Sequence, residues 1–186
     1  ASAAKAGDFV ATFRDETGGF FTSKTSEGTA GVFAKPAKLI DDQIQVARFM
    51  NMLNRYTGNE GTREQAAHAM RYLGAASAEM PGVLLADEEL ATEPTHITIV
   101  GHKDDARAQR LHAIARALPA RYKRLEWLDP REGRLPNPDV DYPDLGEPAA
   151  FACGNRICSF PAFSAEELQA NVAQMAKLKP ARAAQN

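Results

Sequence analysis

Two cysteines, Cys153 and Cys158, stand in the stretch 151–163, FACGNRICSFPAF. Gly154-Asn155 lies between two short apolar runs and marks a hairpin turn. If that pair is a two-residue primed turn, glycine at its first position suits type II′. Cys153 then faces Arg156 and Cys158 faces Phe151, so the sulfurs sit diagonally with Cα atoms roughly 7–8 Å apart, near or past the limit of about 7 Å for a disulfide. If the loop is instead residues 154–157, the cysteines oppose each other with Cα atoms about 4.5 Å apart, which a disulfide spans. A tight turn and a disulfide are nearly exclusive in this reading. The chemistry is then either a redox couple, with Arg156 near enough to stabilise a thiolate, or a structural clasp, or two buried thiols acting as small hydrophobes. The spacing is not that of a CxxC motif, and two cysteines without further ligands make a poor metal site, so neither a metal nor a cofactor is expected.

A second group lies elsewhere. His102 follows a strand ending at Gly101 and precedes a helix start, a place where ligands bind in open α/β sheets. Trp127, Asp129, Arg131 and Glu132 gather where the next strand ends. With His102 they form a candidate small-molecule pocket. His68 and His112 fall on helical stretches and His96 opens a strand, which are structural positions. Asp41-Asp42 and Glu88-Glu89 are the acids that a glycosidase reading would use, since that chemistry needs two carboxylates about 5–10 Å apart. Capping and helix-dipole complement are the favoured account of them. No P-loop, dinucleotide fingerprint or Ser-His-Asp order stands out.

The elements that must position these groups fall into two regions, residues 1–94 and 95–186. The first is helical. Residues 3–13 form a weak helix, Gly18-Gly19 breaks it, and residues 19–33 read as an extended excursion closed by Lys35-Pro36. Asp41 or Asp42 caps a helix with Val46, Met50 and Leu53 on one face and Gly58 as its stop. Thr62 with Gln65 reads as a capping box for the next helix, and Pro81-Gly82 starts a third. After Pro94 the texture is α/β. HITIV is a strand, Asp104 or Asp105 caps a helix carrying Ala108, Leu111, Ala115 and Leu118, and YKRLEWL alternates as a second strand. Residues 129–148 are proline-rich, acidic and aperiodic, either a stiff cover for a sheet edge or a lid. The hairpin follows, then a final helix opened by Ser164 and Glu167, with Phe163 and Leu168 as a hydrophobic staple and Leu168, Val172, Met175 and Leu178 facing the sheet. The fold class is α/β (α+β overall), ending in a β-α-β, loop, β-β-α domain with thioredoxin-like order. The place of that fold's redox cysteines is taken here by His102-Lys103-Asp104-Asp105.

Bulk properties narrow the function. With 22 basic and 24 acidic residues and a net charge of -2, no polyanion-binding surface is indicated, so nucleic acid is not expected as a partner. No apolar run approaches the roughly 20 residues of a membrane span, and the first residues lack the apolar centre of a signal peptide. An extracytoplasmic location would follow only if the cysteines form a stable disulfide.

Gly18-Gly19-Phe20-Phe21, DDQIQVARFMNMLNRYTG, REQAAHAMRYL, LLADEEL, HITIVG, YKRLEWLDPREG and AAFACGNRICS with SFPAFSAEEL together resemble one family. It is the C-terminal part of the thioredoxin-domain-containing proteins of the spermatogenesis-associated protein 20 (YyaL) type. The resemblance implies that the first region is a piece of an α/α toroid similar to six-hairpin glycosidases and sugar epimerases, followed by a terminal α/β piece. It implies an accessory role rather than an enzyme, and transfers no catalytic residue. Helices taken out of a ring leave an apolar face. Val46, Phe49, Met50 and Leu53 are therefore expected to be covered by the C-terminal region or by another copy of the chain. The partners implied are the N-terminal part of such a protein or a second copy.

Overall fold

In the computed structural model, residues 2–25, 28–154 and 157–177 are described, with the side chains of 32 and 33 left aside. The chain divides into two compact units, Ala1–Ala91 and Thr92–Asn186.

The first unit is helical: α1 (Ser2–Ala11), α2 (Ile40–Thr57), α3 (Glu60–Ser77) and α4 (Pro81–Ala91). Its core joins Phe20, Ile44, Ala47, Ala69, Leu73, Val83 and Ala86. Two starts differ from the sequence reading. α2 begins at Ile40, and its N-terminal boundary, Leu39, makes no side-chain cap, so Asp41 and Asp42 sit in the first turn where they complement the dipole. The start of α3 is capped by Asn59, whose side chain accepts from Gly61 N at 2.9 Å, while the Thr62 hydroxyl donates back to Asn59 O. The capping box placed at Thr62 is therefore an early turn of the helix.

The expected extended excursion is largely irregular. It holds one bridge, Arg14 to Phe20, and a 3-10 turn at Gly31–Ala34. Gln43 fixes its start, accepting from Phe20 N and donating to Phe20 O at 2.8 and 2.7 Å. Gly19 has φ of 76°, and a Cβ there would meet Gln43 Oε1 at 2.8 Å, so glycine is required twice over. The predicted stripe of α2 is buried at Met50 and Leu53, while Val46 and Phe49 are half-buried. Gly7 of α1 lies against Met50 and Leu53, so some of their cover comes from within the helical unit.

The second unit is a four-stranded mixed sheet, β1 (Thr95–Val100), β2 (Lys123–Leu128), β3 (Ala149–Gly154) and β4 (Ile157–Cys158), in the order β2-β1-β3-β4. β1 and β2 are parallel and joined by α5 (Ala106–Ala117), while β3 is antiparallel to β1 and β4. α6 (Ala165–Lys177) is the last element among the described residues. Asp105 caps α5 by accepting from Arg107 N, and Ser164 with Glu167 forms a reciprocal capping box for α6. Leu168 is fully buried but Phe163 is largely exposed. Leu178 lies outside the described residues.

Strand alternation divides the sheet into two faces. Ile97, Ile99, Leu125, Trp127 and Ala150 pack with Ala108, Leu111 and Ala115 of α5 and with Leu168 of α6. On the other face Val100, Ala149, Phe151 and Cys153 form a smaller apolar group with Tyr142. The segment 133–148 supplies groups to that second face, through Asn137, Asp139 and Tyr142. The sequence reading offered a cover for a sheet edge or a lid. The segment lies over a face because the polar strand residues there require partners. Where it rejoins the sheet, Pro148 stands against Gly101, whose φ is 144° and whose Cβ would fall 2.9 Å from Pro148 Cβ.

The hairpin has the register of the second sequence alternative, with the cysteines directly opposed, but a shorter loop than the residues 154–157 expected there. Cys153 pairs with Cys158 and Gly154 with Ile157, leaving only residues 155 and 156 between the strands. Gly154 is thus a strand residue. The turn itself, and Arg156 with it, lies outside the described residues. A short connection and directly opposed cysteines coexist.

Candidate functional site

Three groups of side chains in the α/β unit are able to do chemistry. The first sits at the C-terminal ends of β1 and β2, where the pocket was expected. Asp129 caps a short 3-10 turn, Pro130–Glu132. Its carboxylate is 2% exposed and accepts from Lys103 N at 2.9 Å, Arg131 N at 3.0 Å, Arg131 Nη2 at 2.6 Å and His102 Nδ1 at 3.2 Å. The Arg131 guanidinium, then the backbone donors, hold Asp129 far below the ordinary carboxylate range. Arg131 itself is raised by Asp129 and by Asp104, which it reaches at 2.6 Å. Lys103 Nζ donates to Glu132. Trp127 departs from the group. Its ring lies 4.7 Å from that of His112, and its Nε1 donates to Gly101 O at 2.9 Å. His102, Asp129 and Arg131 are therefore brought together, Glu132 is joined to them through Lys103, and Trp127 faces the helices. Because Asp129 stays ionised and already accepts from several donors, it suits holding the loop in place better than exchanging protons.

The second group was not anticipated. Register places Arg124, His96, Cys153 and Cys158 in one row across all four strands, and Glu126, Thr98 and Phe151 in the row two residues along. All these side chains share the face beneath 133–148. His96 Nδ1 faces Asp139 at 2.5 Å, and Nε2 faces Glu126 at 2.8 Å. Arg124 Nη2 lies 2.6 Å from Glu126 and donates to Asn137 O. The Thr98 hydroxyl lies 3.0 Å from His96 Nε2 and 2.8 Å from the Tyr142 hydroxyl. His96, Thr98, Arg124 and Glu126 are all buried.

Burial lowers the His96 pKa, but its bonds to Asp139 and Glu126 outweigh this and the net shift is upward. Burial pushes Tyr142 up to about 12, so its hydroxyl stays protonated and able to donate. Asp139, His96 and Thr98 stand in the order of an acid, a base and a nucleophile. Thr98 is 0% exposed, however, and shares its hydroxyl with Tyr142, so a substrate has no approach to it. The sequence signal for this group was the pair Arg124 and Glu126, two charges on one side of a strand followed by a long acidic loop.

The third group is the cysteine pair, which is a disulfide with Cα atoms 4.1 Å apart. Cys153 is buried at 1%, Cys158 is half-buried, and Tyr142 Oη lies 3.7 Å from Cys153 Sγ. One ligand atom each from His96, Asp139 and Cys153 lie within 4.8 Å of one another, although the sulfur is engaged in the disulfide.

The acids that a glycosidase reading would use have ordinary surroundings in the helical unit. Asp41, Asp42 and Glu88 are exposed, and Glu89 is buried in an ion pair with Arg48 at 2.8 Å. Among the described residues no helix is long and apolar enough to cross a membrane. Comparison with protein families, curated proteins and solved structures finds no match.

Proposed function

We propose that this chain is a non-catalytic accessory domain, an interaction module of a thioredoxin-related protein, in which the cysteines act as a clasp. One observation carries the reading: the groups able to do chemistry are committed to each other. Asp129 is taken by Arg131 and by Lys103 N, His96 by two carboxylates, and each cysteine by the other. The α/β unit also turns large apolar side chains outward. Ile157, Phe160 and Phe163, beside the β4 edge, are 56%, 89% and 46% exposed. Three large apolar side chains so close in sequence suit a contact surface, and the partner in this reading is the thioredoxin-like N-terminal domain of the family that the sequence resembles.

Thiol titration of the native chain without reductant should find no rapidly reacting thiol, and the chain should not accelerate insulin reduction by dithiothreitol. Phe160→Ser should abolish association with the thioredoxin-like domain supplied in trans, measured by sedimentation. Catalysed insulin reduction that disappears in Cys153→Ala would replace this reading with its alternative, a thiol-disulfide redox protein. The half-exposed Cys158 is the feature that favours that second reading.

A further inference from the structure

The buried row under residues 133–148 holds more ligand chemistry than a structural network needs. We infer that reduction of the Cys153–Cys158 disulfide converts this row into a binding site for one divalent transition-metal ion of the zinc class, with His96, Asp139 and Cys153 as its ligands. The two forms are mutually exclusive, because the sulfur that would hold the metal is the one held by Cys158 when oxidised.

The donor set suits such an ion. A neutral imidazole, a carboxylate and a thiolate are the nitrogen, oxygen and sulfur ligands of four-coordinate zinc, and three protein ligands leave one position open. Their ligand atoms already lie within 4.8 Å of one another. Tetrahedral coordination at about 2.0–2.3 Å places ligand atoms roughly 3.3–3.8 Å apart, so the shifts required are small. His96 Nδ1 and Asp139 must separate from their present 2.5 Å. Asp139 lies on an irregular segment outside the strands, so strand register does not fix its carboxylate.

The surroundings supply what a ligating histidine requires. Its second ring nitrogen normally donates to a carboxylate, which fixes the tautomer and the ring plane. Here Nε2 faces Glu126 at 2.8 Å, and Glu126 is held by Arg124 at 2.6 Å. Arg124 and Glu126 neutralise each other, leaving the Asp139 carboxylate and the Cys153 thiolate to balance the two positive charges of the ion. The pairing His96–Cys153 is fixed by the β1–β3 register, so two of the three ligands stand on rigid neighbouring strands.

The chemistry balances with a dithiol reductant. The dithiol gives two electrons and two protons to the disulfide, its own sulfurs join, and Cys153 and Cys158 become thiols. The metal then displaces two protons to the solvent, one from Cys153 Sγ and one from His96 Nδ1, which donates to Asp139 in the metal-free form. Reoxidation by a disulfide of the same class would expel the ion.

The test uses the full chain and cobalt(II) as the probe. After reduction and anaerobic removal of the reductant, one cobalt per chain should bind, with a thiolate-to-cobalt charge-transfer band in the near ultraviolet. The oxidised chain should bind less than a tenth of that and show no band. Cys158→Ser leaves Cys153 unpaired and should bind cobalt with the same band without any reductant, while Cys153→Ser should lose the band. Glu126→Gln should keep the band and weaken binding by about 10–100-fold, as removal of a histidine's orienting carboxylate does. The fluorescence of Trp127, the one tryptophan of the chain, checks that each form remains folded. The inference is overturned if folded Cys158→Ser binds no cobalt, if the band survives in Cys153→Ser, or if binding occurs only after the native Trp127 emission is lost.

Discussion

The two polar clusters of the α/β unit use similar residue types in opposite surroundings. At the strand ends, Asp129 is buried but its partners are not: Arg131 and His102 side chains are 52% and 55% exposed. Beneath residues 133–148, His96, Arg124 and Glu126 are 3%, 4% and 5% exposed at their side chains. Charges facing water interact weakly and are screened by salt. Charges removed from water must be matched within the protein, and deleting one leaves its partner stranded. The first cluster shapes a loop end. The second decides whether one face of the sheet can be covered at all.

The largest effect should come from breaking the second cluster. Arg124→Met leaves Glu126 and Asp139 without their guanidinium and should cost about 3–5 kcal/mol. Urea denaturation followed by Trp127 fluorescence reads this, and it reports the α/β unit alone, which matters because two units need not unfold together. Adding Glu126→Gln to Arg124→Met should restore part of the loss, since the stranded charge is removed as well. If the double variant were no more stable than the single one, the pair would not be coupled in this way.

Next in size is the disulfide. It closes a loop between residues separated by five positions, for which the chain-entropy relation gives roughly 2 kcal/mol. Replacing both cysteines by alanine should lower the unfolding free energy from urea denaturation by that order without altering the far-ultraviolet circular dichroism.

A smaller effect should appear with pH. The His96 pKa is raised above its ordinary value of 6.5 by Asp139 and Glu126, which outweigh burial and the nearby Arg124. Tyr142, also in the cluster with Asp139, Glu126 and Arg124, stays protonated well above neutral pH. A raised folded-state pKa stabilises fully below the unfolded value, and the contribution is lost as pH rises through the folded one. His96 should therefore contribute stability to the oxidised, metal-free chain at pH 6 that is lost by pH 8, against the opposite slope from His112 and His68, whose pKa values burial lowers, and His96→Gln should remove that contribution. An unchanged slope in His96→Gln would mean that His96 is not charged in the fold.

How far these clusters were readable in the sequence follows from the range of the interactions. Locally encoded features were legible: a cap at Asp104 or Asp105, of which Asp105 is the one used, Ser164 with Glu167 as a capping box, and the alternation that puts Arg124 and Glu126 on one side of β2 and Leu125 and Trp127 on the other. The gathering of His102, Arg131 and Asp129 was legible too, because the ends of adjacent parallel strands meet. Trp127 was drawn into that group by proximity in sequence, although its side of the strand sends it to the helices. The His96 network was hidden, since it depends on register among three strands and on where residues 133–148 come to lie. A shift of one residue in the hairpin frame decided whether the cysteines could pair, and Gly154 reads equally well as turn or strand.

The smallest expected effect sharpens the comparison from the other side. Lys103 and Glu132 pair at 2.5 Å, with side chains 45% and 57% exposed. Exposed pairs of this kind contribute little, because water already solvates both charges and ordering two long side chains opposes the attraction. Glu132→Gln should change the stability of the α/β unit by less than about 0.5 kcal/mol, and the difference should vanish in molar salt, where the screening length falls to about 3 Å. Arg124→Met should keep most of its effect under the same salt, because its partners are out of reach of the ions. If Glu132→Gln instead caused a large loss that salt did not remove, the strand-end cluster would belong with the buried one, and the contrast between them would fail.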